Sequence, residues 1–256
     1  MSKLPEEHKF IDLSDYGRPF AKVIAHALKN TLFTPIHLTI GFIIAGLFAI
    51  YCIVLGHYWL AAFFLILKSI LDAADGELAR VKQKPSYTGR YLDSVADILL
   101  NALFFLAIGY ITNTPIWICI GAFLGLQLQG TLYNYYYVIL RNQFDGDTTS
   151  RVFENKSPIA LPGEKQRYVN ILFGIYKVLY GAFDKTIYVL DSNAHRGTTL
   201  PKWFMTSIST FGLGFQLLLI AVLLVLGLKD FILPFFFVYT FMIIIFIAIR
   251  KLFYSS

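Results

Sequence analysis

The sequence predicts an all-α integral membrane protein with six transmembrane helices and an N-terminal amphipathic helix at the membrane interface. Of its 256 residues, 57% are hydrophobic and only 15% are charged, and the mean hydropathy is +0.61. A soluble domain of this length needs more charge than that to cover its surface. The apolar residues also fall into segments of about 20 residues, the length that a helix needs to cross the hydrocarbon of a bilayer.

Six apolar segments are the predicted spans: 36–56, 59–80, 91–111, 115–139, 203–227 and 231–249. The connections after the first, third and fifth spans are very short, and Lys229 is the one basic residue in them. Nearly all other Lys and Arg residues lie in the remaining connections and at the termini. Because cytoplasmic loops are enriched in Lys and Arg, we expect both termini and the basic connections in the cytoplasm. This distribution explains the net charge of +6 without nucleic acid as a partner.

A single membrane domain is predicted for residues 1–256. Residues 1–34 would be a cytoplasmic amphipathic segment, residues 36–139 would hold spans one to four and the active site, residues 140–202 would be a cytoplasmic insertion, and residues 203–249 would hold spans five and six. Residues 14–31 mix apolar and basic side chains, which is typical of a helix lying in the membrane interface. Cys52 and Cys119 fall inside apolar segments and are interpreted as packing residues.

The segment 168–191 is the main ambiguity in the topology. It is apolar enough to suggest a seventh span, but Lys177, Asp184 and Lys185 interrupt it. A seventh span would also place the basic C-terminal end of the chain outside the cytoplasm. We therefore expect a helix in the interface here.

Four aspartates lie within the second and third predicted spans: Asp72, Asp75, Asp93 and Asp97. An aspartate near the bilayer centre costs about 2.5–3.5 kcal/mol on the insertion scale, so four of them need compensating cations or protons. The spacings of three and four residues place each pair on one helical face. A hairpin turn near Lys84–Pro85 would bring Asp72 level with Asp97 and Asp75 level with Asp93, because both helices rise equally per residue.

Such a cluster favours hard divalent cations, Mg²⁺ or Mn²⁺, and two ions there would clamp a pyrophosphate. The small residues Gly76, Ala79 and Gly89 would leave room for a nucleotide, and Arg80 could contact a phosphate. Two alternatives remain open. The acids could pair with the neighbouring basic residues, or they could belong to a proton or cation pathway, which would normally place ionisable residues along several spans.

Residues 72–97 read D-x2-D-G-x2-A-R-x8-G-x3-D-x3-D. This resembles the signature of the CDP-alcohol phosphotransferase family, whose members also have six spans. The resemblance implies a Mg²⁺- or Mn²⁺-dependent displacement of CMP in a cytoplasm-facing cavity, often within a homodimer. It further implies that Asp72, Asp75 and Asp93 are metal ligands and that Asp97 completes the metal site and acts as general base.

By the same resemblance, Gly76, Ala79 and Gly89 would line the CDP pocket with Arg80 nearby. The sequence departs from the family pattern at one place. Many members begin the first span with Pro-Asn before a Thr, whereas this chain has Pro35-Ile36-His37-Leu38-Thr39. His37 either replaces that Asn or is a surface histidine, and the second interpretation is favoured.

Arg141, Ser150 and Arg151 follow the fourth span, where the head group of an acceptor would approach the metal ions. They are candidate acceptor-binding residues, with an ordinary basic loop as the alternative. The expected reaction transfers a substituted phosphate from CDP-diacylglycerol to a small alcohol or alcohol phosphate in phospholipid biosynthesis. Transfer from a CDP-choline or CDP-ethanolamine donor to diacylglycerol would use the same motif. A non-enzymatic cation-binding or carrier protein is the alternative from another class.

Overall fold

A computed structural model describes residues 4–144 and 156–254, and these residues form an all-α structure without β-strands. The helices are α1 (Arg18–Leu28), α2 (Pro35–Val54), α3 (Tyr58–Val81), α4 (Tyr87–Thr112), α5 (Ile116–Gln143), α6 (Gln166–Leu190), α7 (Lys202–Ile208), α8 (Leu213–Val225), α9 (Lys229–Tyr239) and α10 (Met242–Phe253). The all-α character of the predicted fold is therefore confirmed for the described part of the chain.

The structure does not confirm all six predicted membrane spans. Within residues 4–144 and 156–254, four helical segments are long and apolar enough to cross a bilayer: Pro35–Val54, Tyr87–Thr112, Ile116–Gln143 and Lys229–Phe253. A fifth is possible if α7 and α8 together make one span. Helix α3 has the length of a span, with 24 residues, but its charged residues, among them Lys68, Asp72 and Asp75, lower its apolar character.

The fifth predicted span, 203–227, is not one straight helix in the structure, and it remains a candidate span only as a bent pair of helices. The chain bends by 56° between residues 202–211 and α8. Gly212 lies at the bend with extended backbone, and a Cβ built there would meet Ser14 of the N-terminal segment at 2.3 Å. The bend therefore accommodates residues that lie nearly 200 positions away in the chain.

The main core lies between α2, α3, α4, α5, α8 and α9, with Phe42, Leu65, Phe104 and Phe236 among its fully buried side chains. Helix α2 packs against α3 and α4, and α8 packs against α3 on another side. Cys52 and Cys119 are buried and free, as their interpretation as packing residues requires. This arrangement holds the α3–α4 hairpin inside the bundle.

Two amphipathic helices pack on the outside of this hairpin. Helix α1 covers only part of the predicted segment 14–31, and it buries Ala21 and Ala25 against α2 and α3 while exposing Phe20 and Val23. Helix α6 packs against α4 and α5. It falls short of the apolar character of the candidate spans, as the expectation against a seventh span requires.

Candidate active site

The α3–α4 hairpin brings three of the four predicted aspartates together. One carboxylate oxygen each of Asp72, Asp75 and Asp93 lies within 4.8 Å of the other two, close enough to hold one metal ion. Asp72 and Asp75 lie one turn apart on α3, and Asp93 projects from α4. The three side chains converge because the two helices run antiparallel from a turn at residues 82–86, where Gln83 adopts a φ of 52°.

The fourth aspartate, Asp97, lies outside this group of three. It accepts a hydrogen bond from Lys68, whose Nζ also donates to Asp72 Oδ2 at 3.0 Å. Asp72 and Asp97 are thus level across the hairpin, as the spacing predicts, but an ammonium group lies between them. Sequence reasoning missed Lys68, although its position four residues before Asp72 places both side chains on the same face of α3.

Asp75 is held by a side chain from a third helix. Thr39 of α2 donates from Oγ1 to Asp75 Oδ2 at 2.7 Å, and Thr39 is almost fully buried. Such hydrogen bonds to a ligating carboxylate fix its orientation and tune its affinity for a metal. The sequence offered only a weak signal for Thr39, namely its place in the segment that departs from the family pattern.

One oxygen of the cluster has no protein partner. Among the described residues, Asp93 Oδ1 is buried and accepts no hydrogen bond. A buried carboxylate oxygen without a partner is costly, and a hard cation that prefers oxygen ligands would satisfy it. The donor set, three carboxylates converging from two helices, therefore fits Mg²⁺ or Mn²⁺.

The predicted nucleotide-binding residues lie on the same two helices as this cluster, with Gly76, Ala79 and Arg80 on α3 and Gly89 on α4. The Arg80 guanidinium lies over Gly76, and a Cβ there would be in ordinary contact with Arg80 Nη2 at 3.6 Å. Arg80 is already paired with Glu77, at 2.9 Å between Nη2 and Oε1. Gly89 is buried beside Ser86, whose Oγ caps α4 by accepting from Gly89 N at 2.8 Å. The absence of a side chain at Gly89 therefore also leaves room for the Ser86 cap at the start of α4.

Ala79 is partly buried on α3. His37 is exposed and caps α2, with its Nδ1 accepting from Thr34 N at 3.1 Å. That placement supports its interpretation as a surface histidine.

Of the three candidate acceptor-binding residues, Arg141 is buried with its guanidinium 5.1 Å from the centre of the Tyr137 ring. Ser150 and Arg151 lie outside the described residues.

Helix α6 closes one side of the site with a tyrosine that the sequence did not single out. Tyr180 donates from its hydroxyl to the carbonyl of Ser94 at 3.0 Å, one residue after Asp93. Burial raises the pKa of Tyr180 well above its usual value, and the nearby charges of Asp97 and Asp93 raise it further. The phenol therefore stays protonated and acts as a hydrogen-bond donor at the edge of the cluster.

Comparison with known proteins matches this region of the chain. Residues 32–152 match the family model for CDP-alcohol phosphatidyltransferase. Over 122 residues the chain is 34% identical to the bifunctional IPC transferase and DIPP synthase of Thermococcus kodakarensis, an alignment that covers 46% of this chain and 27% of that relative. The chain thus spans about a quarter of the length of this relative. Residues 32–152 are therefore similar to the CDP-alcohol phosphatidyltransferase family, as the motif between Asp72 and Asp97 predicts.

Proposed function

We propose that this protein is a membrane-embedded enzyme that transfers a substituted phosphate from a CDP-linked donor to an alcohol and releases CMP. The observation that carries the proposal is the convergence of Asp72, Asp75 and Asp93 within 4.8 Å, inside the matched residues 32–152. The preferred donor is CDP-diacylglycerol, and the preferred acceptor is a small water-soluble alcohol or alcohol phosphate. The product would be a phospholipid.

In this proposal Asp72, Asp75 and Asp93 would hold Mg²⁺ or Mn²⁺, which would supply positive charge to offset the negative charge of the pyrophosphate. Asp97 accepts the proton of the acceptor hydroxyl. The hydroxyl oxygen then forms a bond to the phosphorus that carries the donor's alcohol group, and the bridging oxygen leaves with CMP. Gly76, Ala79, Gly89 and Arg80 provide the nucleotide pocket, and Arg141, Ser150 and Arg151 contact the acceptor.

The proposal includes a membrane arrangement. Helix α3 also crosses the membrane despite its charges, and it brings the number of spans to six. Ionisable residues within a membrane protein face the bundle interior, and Lys68 is fully buried there. Helices α1 and α6 lie in the cytoplasmic interface, and Phe20 of α1 and Val178 of α6 expose apolar surface suited to lipid. Both termini and the active site face the cytoplasm, and the enzyme forms a homodimer.

The function is tested with purified full-length protein, Mn²⁺, a panel of acceptors, and either CDP-diacylglycerol or CDP-choline with diacylglycerol. Release of CMP supports the enzyme, and the donor that is consumed decides which side carries the lipid. EDTA should abolish the reaction. The absence of CMP with every donor would favour the alternative of a cation-binding or carrier protein.

The role of Asp97 has its own test. The Asp97→Asn variant should lose turnover by roughly 100-fold or more while retaining donor binding, because the amide cannot accept the hydroxyl proton. Asp230→Asn, which changes an exposed acid at the start of α9, is the matched control and should retain full activity. A near-normal kcat for Asp97→Asn would refute the assignment of the base.

A further inference from the structure

We infer that Lys68 occupies the position that a second metal ion would need, so that the site binds one divalent ion and one fixed ammonium group. This inference rests on the proposed function and concerns the number of ions at the same site. A cluster of four carboxylates with the motif of this chain suggests two ions on residue count alone. The contacts of Lys68 change that expectation.

Lys68 is anchored inside the bundle. Its side chain is fully buried, although lysine side chains normally extend their ammonium groups to water. Its Nζ lies 4.8 Å from the centre of the Phe42 ring, in the main core. A lysine buried in this way is held by the acids that it contacts, because a buried charge without a partner is strongly unfavourable.

Those acids come from both helices of the hairpin. Lys68 Nζ donates to Asp72 Oδ2 at 3.0 Å on its own helix and to Asp97 Oδ1 on α4. An ion bridging α3 and α4 at this level would need the same two oxygens. Because the ammonium group already occupies those oxygens, a second ion could bind there only by displacing Lys68.

The four carboxylates therefore have two roles, with three that could bind an ion and a fourth that contacts Lys68. Asp72, Asp75 and Asp93 form the group that could hold an ion, and Asp97 does not belong to it. Lys68 thus acts as a positioning residue. It keeps Asp97 beside the ion without making it a ligand, so that the carboxylate remains available to accept a proton from the acceptor.

The test counts metal ions and is independent of turnover. Purified full-length protein is titrated with Mn²⁺, and free Mn²⁺ is measured by electron paramagnetic resonance. We expect one bound ion per chain in the wild type. In Lys68→Met we expect a second ion and the broadened spectrum of two coupled Mn²⁺ centres. Lys84→Met, at an exposed position in the hairpin turn, is the matched control and should bind one ion.

Two wild-type ions per chain would overturn the inference, and so would a single ion in a folded Lys68→Met variant. If Lys68→Met does not fold, the wild-type count still decides the number of ions. Lys68→Arg, which keeps the positive charge, should then still bind one. A chain that binds no Mn²⁺ would refute the proposed metal site itself, whereas two ions in a chain that releases CMP would refute only the role of Lys68.

Discussion

At the scale of single residues, the site depends on side chains that hold the carboxylates as much as on the carboxylates themselves. Asp75 carries a hydrogen bond from Thr39, and Glu77 pairs with both Arg18 and Arg80, at 2.9 Å in each case. These contacts orient groups that would otherwise repel or rotate away from one another. Removing one of them should therefore alter affinity for the metal or the nucleotide without removing a ligand.

Thr39→Val tests this directly, because it keeps the branched shape of the side chain and removes its hydroxyl. We expect Mn²⁺ affinity to fall by roughly 10- to 100-fold, the usual effect of losing a hydrogen bond to a ligating group. Thr112→Val is the matched control, since Thr112 Oγ1 donates within α4 at 2.7 Å to Ile108, near the other end of the helix. Equal Mn²⁺ affinities for both variants would contradict the role of Thr39.

Residues that converge by helical spacing could be predicted from the sequence, whereas contacts between distant helices could not. The four aspartates were found because residues on two neighbouring helices converge by helical spacing alone. Lys68 also follows that spacing, four residues before Asp72, but a lone basic residue in a span had no assigned role. Thr39 lies 36 residues from Asp75, and their contact depends on the register of α2 against α3, which no local pattern specifies.

At the scale of elements, a connecting segment fixes the start of α4. Glu164, just before α6, accepts hydrogen bonds from Ser86 Oγ and Thr88 N, each at 2.7 Å. Ser86 is the N-cap of α4, the helix that carries Asp93 and Asp97. Burial alone would raise the pKa of Glu164, but the hydrogen bonds from Ser86, Thr88 and Leu161 outweigh it and hold the pKa below its usual value.

A lowered pKa in the folded state gives a defined pH dependence. Ionised Glu164 contributes stability above its unfolded pKa of 4.5, and this contribution is lost as the pH falls through the lower folded value. We expect Glu164→Gln to lower the unfolding temperature in detergent at pH 7, with the difference from wild type disappearing in acid. The exposed Glu7→Gln is the matched control. A difference that persists unchanged in acid would contradict this account.

Elements also show where sequence patterns fail. The apolar run 203–227 does not predict the bend at Gly212, where Ser14 from the distant N-terminal segment lies against the glycine. The hydrophobic pattern reports which residues avoid water, and it is nearly the same for a straight span and a broken one. By contrast, α2, α4 and α5 match their predicted spans to within a few residues at most ends, since their boundaries are set by local turns.

At the scale of the whole molecule, the burial of charged side chains and the exposure of apolar ones both support a helical bundle that sits in a membrane. The charged groups of α3 face the bundle interior, and exposed apolar side chains such as Phe48, Phe63 and Leu103 lie on the outer faces of α2, α3 and α4. This is the distribution that a lipid environment requires, since charge exposed to hydrocarbon is costly. It supports α3 as a membrane-spanning helix even though its composition alone does not.

The topology is testable by cysteine labelling, because native Cys52 and Cys119 are buried and should give little background. With a membrane-impermeant maleimide on intact cells, we expect His57→Cys to be labelled, since the proposed topology places residue 57 in a short external connection. Lys84→Cys and Asn193→Cys should react only after permeabilisation, because the proposed topology places both on the basic, cytoplasmic side. Labelling of His57→Cys and Lys84→Cys from the same side would show that α3 does not cross. Labelling of Asn193→Cys in intact cells, with Lys84→Cys protected, would make α6 a seventh span and place the basic C-terminal end outside.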